Sequence, residues 1–317
     1  MEQTLYIVVP CYNEEEVLNE TAKRLKKKLE ALIESKTINN KSRVLFVNDG
    51  SKDSTWEIIK NLHNECSLFS GVNLTRNRGH QNALLAGLMT AKDRADMIIS
   101  MDADLQDDIN AVDSMIEKYY EGCDIVYGVR SSRKKDTFFK KFTAETFYKI
   151  MSFLGCDTVF NHADYRLMSK RAVEDLASFG EVNLFLRGIV PMLGYKSDTV
   201  YYDRDERFAG ESKYPLKKMI AFALEGITSL SSKPIRLITL CGFSVFLISI
   251  VMIIYFVIRW AIGATTIGWA SVVCSVWFIG GLTMLSLGVV GEYIGKIYLE
   301  TKHRPTYLIE MVLEDEN

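Results

Sequence analysis

The chain has few cysteines and histidines, and neither type is grouped as a disulfide or metal site would require. Its six cysteines are scattered without a close pair, and its four histidines show no metal-ligand spacing. This pattern argues against a disulfide framework and a zinc site. The net charge of −2 gives no reason to expect nucleic acid as a partner.

Two common phosphate-binding signatures are also missing. No Gly-x-Gly-x-x-Gly follows the first apolar run, and no Gly-x-x-x-x-Gly-Lys-Ser/Thr occurs anywhere. The sequence therefore gives little support for assigning the chain to the dinucleotide dehydrogenases or the P-loop enzymes. The first apolar run, Leu5–Val9, is only strand-sized and has no cleavage signal before it. We therefore expect the large N-terminal part to stay in the cytosol.

Two charge-free apolar stretches lie near the C-terminus. Leu237–Ile258 has 22 residues and Trp260–Gly291 has 32. At about 1.5 Å per helical residue, each can cross a hydrocarbon layer of about 30 Å. Buried core helices are the alternative, but two in succession would need a large surrounding protein. Basic residues occur on both outer flanks, from Lys213 to Arg236 and from Lys296 to Arg304, which predicts that both flanks are cytoplasmic.

The residues before these stretches alternate between strand and helix patterns. Four runs predict strands, namely Leu5–Val9, Val44–Val47, Gly71–Leu74 and Met97–Met101, and a predicted helix follows each of the first three. The alternation predicts an α/β fold with a doubly wound, mainly parallel sheet. Ligands of such sheets bind beyond the carboxyl ends of the strands. The first, second and fourth predicted strands end in polar residues, which marks this edge as the candidate site.

The segment Met101-Asp-Ala-Asp-Leu-Gln106 follows the fourth predicted strand. Asp102 and Asp104 can converge on a hard divalent cation, and Gln106 adds a third oxygen ligand. Mg²⁺ or Mn²⁺ takes such ligands together with substrate phosphates. An ordinary surface turn is the alternative for an Asp-x-Asp pair. Its position at a strand end favours a metal site, and we predict Mg²⁺ or Mn²⁺ there.

Other polar side chains at the strand ends suit a nucleotide. Asp49 can accept hydrogen bonds from a base or ribose, although Asn-Asp-Gly-Ser is also a common turn and helix cap. Tyr12 can pack against a base and Glu14 can bond to its polar edge, although either could instead support the first helix. A nucleotide pocket at this edge is therefore a hypothesis with a structural alternative.

Six motifs in series give the chain a resemblance to a known family. They are Val9-Pro-Cys-Tyr-Asn-Glu-Glu15, Val47-Asn-Asp-Gly-Ser-Lys-Asp53, Asn77-Arg-Gly-His-Gln81, Met101-Asp-Ala-Asp-Leu-Gln106, His162-Ala-Asp-Tyr-Arg-Leu167 and Arg207-Phe-Ala-Gly-Glu-Ser-Lys-Tyr214. Together they resemble family 2 glycosyltransferases with the GT-A (Rossmann-like) fold. With the two apolar stretches, the chain resembles polyprenyl-phosphate glycosyltransferases of the bactoprenol glucosyltransferase and dolichol-phosphate mannose synthase type.

The resemblance implies roles on the donor side of the site. The implied nucleotide-sugar pocket is lined by Pro10, Tyr12, Glu14, Asp49, Asp102 and Ala103. The implied metal ligands are Asp102, Asp104 and Gln106. The implied catalytic positions are Asp104, Asp164, Arg207 and Lys213. Arg207 and Lys213 match a flexible loop whose cations could close over a diphosphate or the acceptor phosphate. A solvated face beside the membrane is the alternative for these two residues.

The resemblance also implies an acceptor site for a lipid phosphate. The implied phosphate ligands are Arg130, Lys141 and Arg166, of which Arg130 is the strongest candidate because a guanidinium can bind phosphate through two hydrogen bonds. Asp164 matches the family's candidate catalytic base. A polyprenyl phosphate is already anionic near pH 7, however, and can attack without a strong base. Positioning Arg166 or the sugar hydroxyls is the alternative role for Asp164.

These observations predict a metal-dependent, inverting transferase at the cytoplasmic face of the plasma membrane. It would move one sugar from a nucleotide donor to undecaprenyl phosphate or another polyprenyl phosphate. UDP-glucose or UDP-N-acetylglucosamine is the favoured donor, and GDP-mannose or a UDP-aminoarabinose-type donor is the alternative. A membrane-anchored nucleotide-sugar-binding protein without transfer activity is the alternative of a different class.

The predicted organisation has four parts. A cytoplasmic catalytic domain covers 1–212, interfacial helices 213–234, two transmembrane helices with a short outer loop 235–294, and a cytoplasmic tail 295–317. An amphipathic surface helix is the alternative for the interfacial segment.

Small residues in the second apolar stretch permit close helix contacts, which are compatible with a homo-oligomer such as a tetramer. They are Gly280, Gly281, Gly288 and Gly291. Two spans are too few for a sugar-lipid conduit. We therefore expect a separate flippase and a downstream glycosyltransferase to handle the product.

Overall fold

The computed structural model describes residues 2–131, 162–181, 185–203, 233–262 and 268–314. Within these ranges, eight strands form one sheet. They are β1 (Leu5–Cys11), β2 (Arg43–Asn48), β3 (Phe69–Leu74), β4 (Met97–Ser100), β5 (Ile125–Arg130), β6 (His162–Ser169), β7 (Ser197–Tyr202) and β8 (Ile309–Leu313). The same ranges contain eight helices. They are α1 (Leu18–Glu34), α2 (Thr55–Glu65), α3 (His80–Ala91), α4 (Ala111–Tyr120), α5 (Lys170–Leu176), α6 (Leu186–Met192), α7 (Lys233–Ala261) and α8 (Trp269–Thr301).

The sheet is mixed, with a parallel centre. Its strand order is β7-β5-β6-β4-β1-β2-β3-β8. Parallel pairs are β1 with β2, β1 with β4, β2 with β3, and β5 with β7, whereas β6 and β8 run antiparallel to their neighbours. The predicted α/β fold with a doubly wound, mainly parallel sheet is confirmed. All four strands predicted from the apolar runs are present.

Helices cover both faces of the sheet, so its central strands are apolar on both sides. On β1, Leu5, Ile7 and Val9 belong to the core packed under α1, α2 and α4. Tyr6 and Val8 point the other way, into the core under α3, α5 and α6. Every residue of β1 is buried. This explains why the strand appears in the sequence as a continuous apolar run rather than an alternating one.

Helix α3 packs very close to the sheet. A Cβ on Gly87 would lie 2.3 Å from Val8 Cγ1 and 2.7 Å from Val47 Cγ2. Glycine is therefore required for this approach. The close packing fixes the N-terminal end of α3 beside the carboxyl ends of β1 and β2.

The chain returns to the sheet after the two long helices. Strand β8 pairs with the edge strand β3, and Tyr6 Oη donates to Glu314 Oε1 at 3.3 Å. Arg94 forms an ion pair with the same carboxylate. Strand β8 is not predicted from the sequence, where this segment is expected to be a C-terminal tail. The pairing means that the segment after α8 belongs to the same folded domain as β1 to β7.

Helices α7 and α8 are both long and apolar enough to cross a membrane. Large apolar side chains along them are exposed, including Leu240 at 61%, Val251 at 64% and Met284 at 71%. An apolar surface of this extent marks a membrane or protein contact rather than a water-facing one. Helix α8 continues to Thr301, past the predicted boundary at 294. Residues 213–232 of the predicted interfacial helices lie outside the described residues.

Candidate active site

Asp49, at the end of β2, is buried and bound to the loop before α3. One of its carboxylate oxygens accepts from the backbone N–H of Arg78 at 2.6 Å and the other from that of Gly79 at 2.9 Å. Burial raises the pKa of Asp49, and these two hydrogen bonds oppose the rise. Gly50 follows at φ 62°, where a Cβ would lie 2.5 Å from the backbone nitrogen of Asn77. Asp49 therefore holds the loop before α3 against the end of β2.

The loop after β4 carries the predicted metal ligands. Asp102 and Asp104 are partly exposed at this edge, and Ala103 between them is buried. The carbonyl of Ala103 accepts from Thr21 Oγ1 at 2.8 Å, which ties the loop to α1. The backbone N–H of Gln106 donates to Asp104 Oδ1 at 3.2 Å. These two contacts hold the loop while both carboxylates stay partly exposed at the surface of the site.

The chemistry of this loop fits a hard divalent cation. Two carboxylates and the Gln106 amide are oxygen donors of the kind that Mg²⁺ and Mn²⁺ prefer. In the part of the chain that the structure describes, no three His, Cys, Asp or Glu side chains form a complete metal cage. A cation here would therefore take further ligands from a substrate. Leu105 has φ 58°, a left-handed conformation uncommon for a bulky side chain and frequent at functional sites.

His80, at the start of α3, lies between two carboxylates. Its Nε2 is 3.6 Å from Asp102 Oδ1 and 3.6 Å from Asp164 Oδ2. Burial would lower the pKa of His80, but the hydrogen bond to Asp164 and the charge of Asp102 raise it to about 9. The imidazole is therefore cationic near neutral pH. It separates two carboxylates that would otherwise repel each other.

Asp164, on β6, is enclosed by two arginines. Arg187 donates through Nε to Oδ1 at 3.1 Å and through Nη2 to Oδ2 at 3.0 Å, and Arg166 Nη2 donates to Oδ1 at 3.0 Å. Burial alone would raise the pKa of Asp164, but Arg187, His80 and Arg166 hold it well below its usual range. A carboxylate in this state is a weak proton acceptor. The geometry favours the positioning role for Asp164 over that of a catalytic base.

Arg166 is buried, with a side chain only 2% exposed. Its Nη1 donates to the carbonyl of Leu186 at 3.3 Å, and Gln81 Oε1 accepts from the Leu186 N–H at 3.1 Å. Gln81 Nε2 also donates to Asp164 Oδ2 at 3.4 Å. These contacts join α3, β6 and α6 around one carboxylate. They favour a supporting role for Arg166 over the direct phosphate contact expected from the sequence.

Arg130 is the last residue of β5 and lies beside Asp107 and Tyr202. Its Nη2 is 3.5 Å from Asp107 Oδ1, and its Nε donates to Tyr202 Oη at 3.4 Å. Burial would lower the pKa of Arg130, but Tyr202 and Asp107 raise it, so the guanidinium stays charged. The side chain is 27% exposed, which leaves it accessible to an anionic ligand.

The remaining predicted residues fall into two groups. Pro10 is buried at the end of β1, and Tyr12 just beyond it is 37% exposed. Glu14 precedes α1, and its backbone N–H donates to Thr55 Oγ1 at 2.9 Å. All three lie at the same edge of the sheet as the metal loop. Lys141, Arg207 and Lys213 lie outside the described residues, and their roles remain predictions.

Some residues of the site receive no role from the sequence analysis. They are Gln81, Asp107, Arg187 and Tyr202. Arg187 has a local signal, since it is the only charged residue in the helix Leu186–Met192. Gln81 closes the motif Asn77–Gln81 and Asp107 follows the motif Met101–Gln106, but their contacts could not be predicted, because Gln81 is 83 positions from Asp164 and Asp107 is 95 positions from Tyr202.

Paired carboxylates at the end of an α/β sheet, beside cations that can take up negative charge, form the kind of site that a glycosyltransferase uses. Residues 6–177 match the family model described as glycosyl transferase family 2. The chain belongs to glycosyl transferase family 2 and is a glycosyltransferase.

Three relatives are similar to nearly the whole chain. The uncharacterised glycosyltransferase YkoT of Bacillus subtilis (strain 168) is 54% identical over 312 residues, 98% of this chain and 93% of the relative. A bactoprenol glucosyl transferase of Shigella phage SfV is 40% identical over 306 residues, 96% of this chain and 97% of the relative. The prophage bactoprenol glucosyl transferase homolog of Escherichia coli (strain K12) is 40% identical over 308 residues, which is 96% of this chain and 98% of the relative.

Solved structures show a more distant likeness. The mannosyl-3-phosphoglycerate synthase of Rubrobacter xylanophilus is 14% identical, with a TM-score of 0.49 over 74% of each chain. The glucosyl-3-phosphoglycerate synthase of Mycobacterium tuberculosis, in complex with Mn²⁺, UDP and phosphoglyceric acid, is 16% identical, with a TM-score of 0.46 over 72% of this chain and 77% of that chain. At TM-scores below 0.5, these likenesses carry no information about function.

Proposed function

We propose that the protein transfers a single glucose, with inversion, from UDP-glucose to the phosphate of undecaprenol or another polyprenol. The observation that carries this proposal is the 40% identity, over almost the full length, to proteins named bactoprenol glucosyl transferases. The contacts described above support this proposal.

The donor half of the site consists of Asp49, Asp102, Asp104 and Gln106. Asp49 shapes the pocket for the nucleoside, beside Tyr12 and the loop before α3. Asp102, Asp104 and Gln106 would hold Mg²⁺ or Mn²⁺. A bound divalent cation would neutralise charge that builds up on the departing diphosphate. The partial exposure of Asp102 and Asp104 supports this proposal, because the nucleotide must reach the same cation.

The acceptor half of the site consists of Arg130, Asp164, Arg166 and Arg187. In the proposed reaction, an oxygen of the lipid phosphate bonds to the anomeric carbon of glucose. The bond from that carbon to the UDP oxygen breaks, and UDP leaves with the electron pair. Arg130 would bind the acceptor phosphate, and Asp164 would hold Arg187 and His80 in place. Because the phosphate is already anionic, no base has to remove a proton first.

The long helices support a membrane-resident acceptor. A polyprenyl phosphate keeps its lipid chain in the bilayer, so the enzyme has to reach the headgroup there. If α7 and α8 span the membrane, the pairing of β8 with β3 requires both outer flanks to be on the same side. Basic residues at Lys233, Arg236, Lys302 and Arg304 favour the cytoplasm as that side. We therefore place the catalytic domain and both outer flanks in the cytoplasm.

The test is a transfer assay with the purified full-length protein in detergent. Undecaprenyl phosphate and Mg²⁺ or Mn²⁺ are supplied with radiolabelled UDP-glucose, UDP-N-acetylglucosamine, GDP-mannose or a UDP-aminoarabinose-type donor. We expect label in the organic phase with UDP-glucose, and loss of that label with Asp104→Ala. Asp113→Asn is the matched control, because Asp113, on α4, is exposed and pairs with Lys28 of α1.

Three outcomes would each overturn a different part of the proposal. Transfer from another donor alone would correct the sugar and keep the reaction. Binding of UDP without turnover of any donor would favour the non-catalytic nucleotide-sugar-binding protein. Equal activity of Asp104→Ala and the unaltered protein would remove the Asp-x-Asp loop from the mechanism.

A further inference from the structure

The surroundings of Arg130 form a small hydrogen-bonded cluster that the reaction scheme leaves unexplained. Tyr202 Oη donates to Asp107 Oδ1 at 2.5 Å, and Arg130 Nη2 lies 3.5 Å from the same oxygen. Arg130 Nε donates to Tyr202 Oη at 3.4 Å, which closes a triangle of three side chains. Asp107 is only 1% exposed at its side chain, whereas Arg130 is 27% exposed. The cluster is therefore buried at Asp107 and accessible at the Arg130 guanidinium.

The backbone fixes where these three side chains meet. Arg130 and Tyr202 are aligned partners at the ends of the parallel strands β5 and β7. Asp107 comes from the loop that also carries Asp102 and Asp104. Tyr165 holds that loop from the other side, since its Oη donates to the carbonyl of Asp108 at 3.0 Å and its ring packs edge-on against Tyr202 with centroids 5.3 Å apart. The contacts thus connect the metal loop directly to the accessible guanidinium.

One oxygen of the buried carboxylate is not satisfied by the fold. Asp107 Oδ2 is buried and has no hydrogen-bond partner among the residues that the structure describes. A carboxylate buried for stability alone would be expected to have both oxygens bonded, because an unmet acceptor is costly. This arrangement fits a carboxylate that is kept to orient a cation.

We propose that Asp107 and Tyr202 are positioning residues that hold the Arg130 guanidinium in place for the anionic phosphate of the acceptor. A long arginine side chain loses rotamer freedom when it binds a phosphate. Neighbouring residues that already fix its rotamer in the free enzyme reduce that loss. The same cluster connects the metal loop to Arg130 in the proposed acceptor half. This inference rests on the proposed function, since it takes Arg130 to be a ligand of the lipid phosphate.

Steady-state kinetics of the full-length protein test the inference, with lipid phosphate and nucleotide sugar varied separately. Tyr202→Phe removes one hydroxyl and keeps the ring. We expect it to raise the KM for polyprenyl phosphate by about fivefold to tenfold and to leave the KM for the nucleotide sugar unchanged. Tyr201→Phe is the matched control, because Tyr201 is the adjacent residue of β7 and is 68% exposed. It should leave both constants unchanged.

A double-variant comparison separates positioning from general support of the fold. In an Arg130→Ala background, Tyr202→Phe and Asp107→Asn should have no further effect on the KM for the lipid, because there is no guanidinium left to hold. Fully additive effects would overturn the inference, and so would an unchanged lipid KM for Tyr202→Phe alone. Thermal unfolding is measured in parallel. If Asp107→Asn does not fold, Tyr202→Phe still decides the outcome.

The same series distinguishes this inference from the proposed function. If Arg130→Ala leaves the lipid KM unchanged in an active enzyme, the acceptor role of Arg130 is wrong. If no sugar is transferred by the unaltered protein, the proposed reaction itself is wrong. If Arg130→Ala weakens lipid use but Tyr202→Phe does not, only the positioning role of Asp107 and Tyr202 fails.

Discussion

The proposed donor half and the proposed acceptor half of the site compensate their charges in different ways. Asp102 and Asp104 extend from a loop at the end of β4 and are partly exposed, so a cation that arrives with the substrate can reach them. Asp164 is buried and already paired with Arg166 and Arg187. The donor half is therefore arranged to gain ligands, and much of the acceptor half is a finished internal network. Substitutions should affect activity alone in the first and both activity and stability in the second.

The largest effect is expected for Asp104→Asn. Loss of one anionic metal ligand should reduce transfer by about 10³-fold or more, because charge on the departing diphosphate is no longer neutralised. The thermal unfolding midpoint should stay within about 2 °C, since the side chain is partly exposed. Radiolabel transfer and a thermal melt measure the two quantities. A large loss of stability would contradict the contrast between the halves, and activity within tenfold of normal would remove Asp104 from the metal site.

Asp164→Asn should reduce transfer by about 10²-fold and also destabilise the fold. The buried guanidinium of Arg166 would lose its counter-ion, which typically costs 3–5 kcal/mol. Denaturant unfolding and the transfer assay measure the two effects on the same sample. The double variant Asp164→Leu/Arg166→Met should regain part of the stability, since it removes the fully buried guanidinium together with its counter-ion, and should not regain activity. Unchanged stability of Asp164→Asn would contradict the description of the acceptor half as an internal ion network.

Arg187→Lys tests whether activity requires the two hydrogen bonds from Arg187 to Asp164 as well as the positive charge. Lysine keeps the positive charge but cannot make the two parallel hydrogen bonds that Arg187 makes to Asp164. We expect transfer to fall by about tenfold. Arg187→Gln, without the charge, should lose more. Equal activity of Arg187→Lys and the unaltered protein would show that charge alone is sufficient at this position.

Asp124→Asn provides a reference ion pair away from the site. Asp124 pairs with Arg171, whose side chain is 64% exposed, and the hydrogen bond from Arg171 lowers the pKa of Asp124. We expect a loss of about 1 kcal/mol in unfolding free energy at pH 7, and no change in transfer. Asp124 and Asp164 are both buried, whereas Arg171 is far more exposed than Arg166, so a smaller loss than for Asp164→Asn would show how much burial of the arginine matters.

The stability contributed by Asp124 should also depend on pH in a definite direction. The carboxylate is favoured in the folded state, so its contribution is present above the unfolded pKa of about 3.9 and is lost as the pH falls through the lower folded value. The difference between the unaltered protein and Asp124→Asn should therefore shrink on acidification below about pH 4. Denaturant unfolding across this range measures it, and a constant difference would contradict the ion pair.

The donor half could largely be predicted from the sequence. Asp49 and the Asp102–Gln106 loop each follow an apolar run within a few residues, and the carboxyl ends of parallel strands gather at one edge. The predicted strands β1 to β4 are present for the same local reason. The acceptor half was predicted only in part. Asp164, Arg166 and Arg130 were named from motifs, but their charge partners were not, because those partners come from distant segments.

Residue types within short windows are sufficient to predict the α/β alternation, the Asp-x-Asp loop and the two long apolar helices. Three other features depend on packing between distant segments: Arg187 encloses Asp164, Tyr202 joins Asp107 and Arg130, and β8 returns to the sheet beside β3. The physical reason is strand order. Placing β6 between β4 and β5, and β7 beside β5, brings charges from distant segments into a buried space where they must pair.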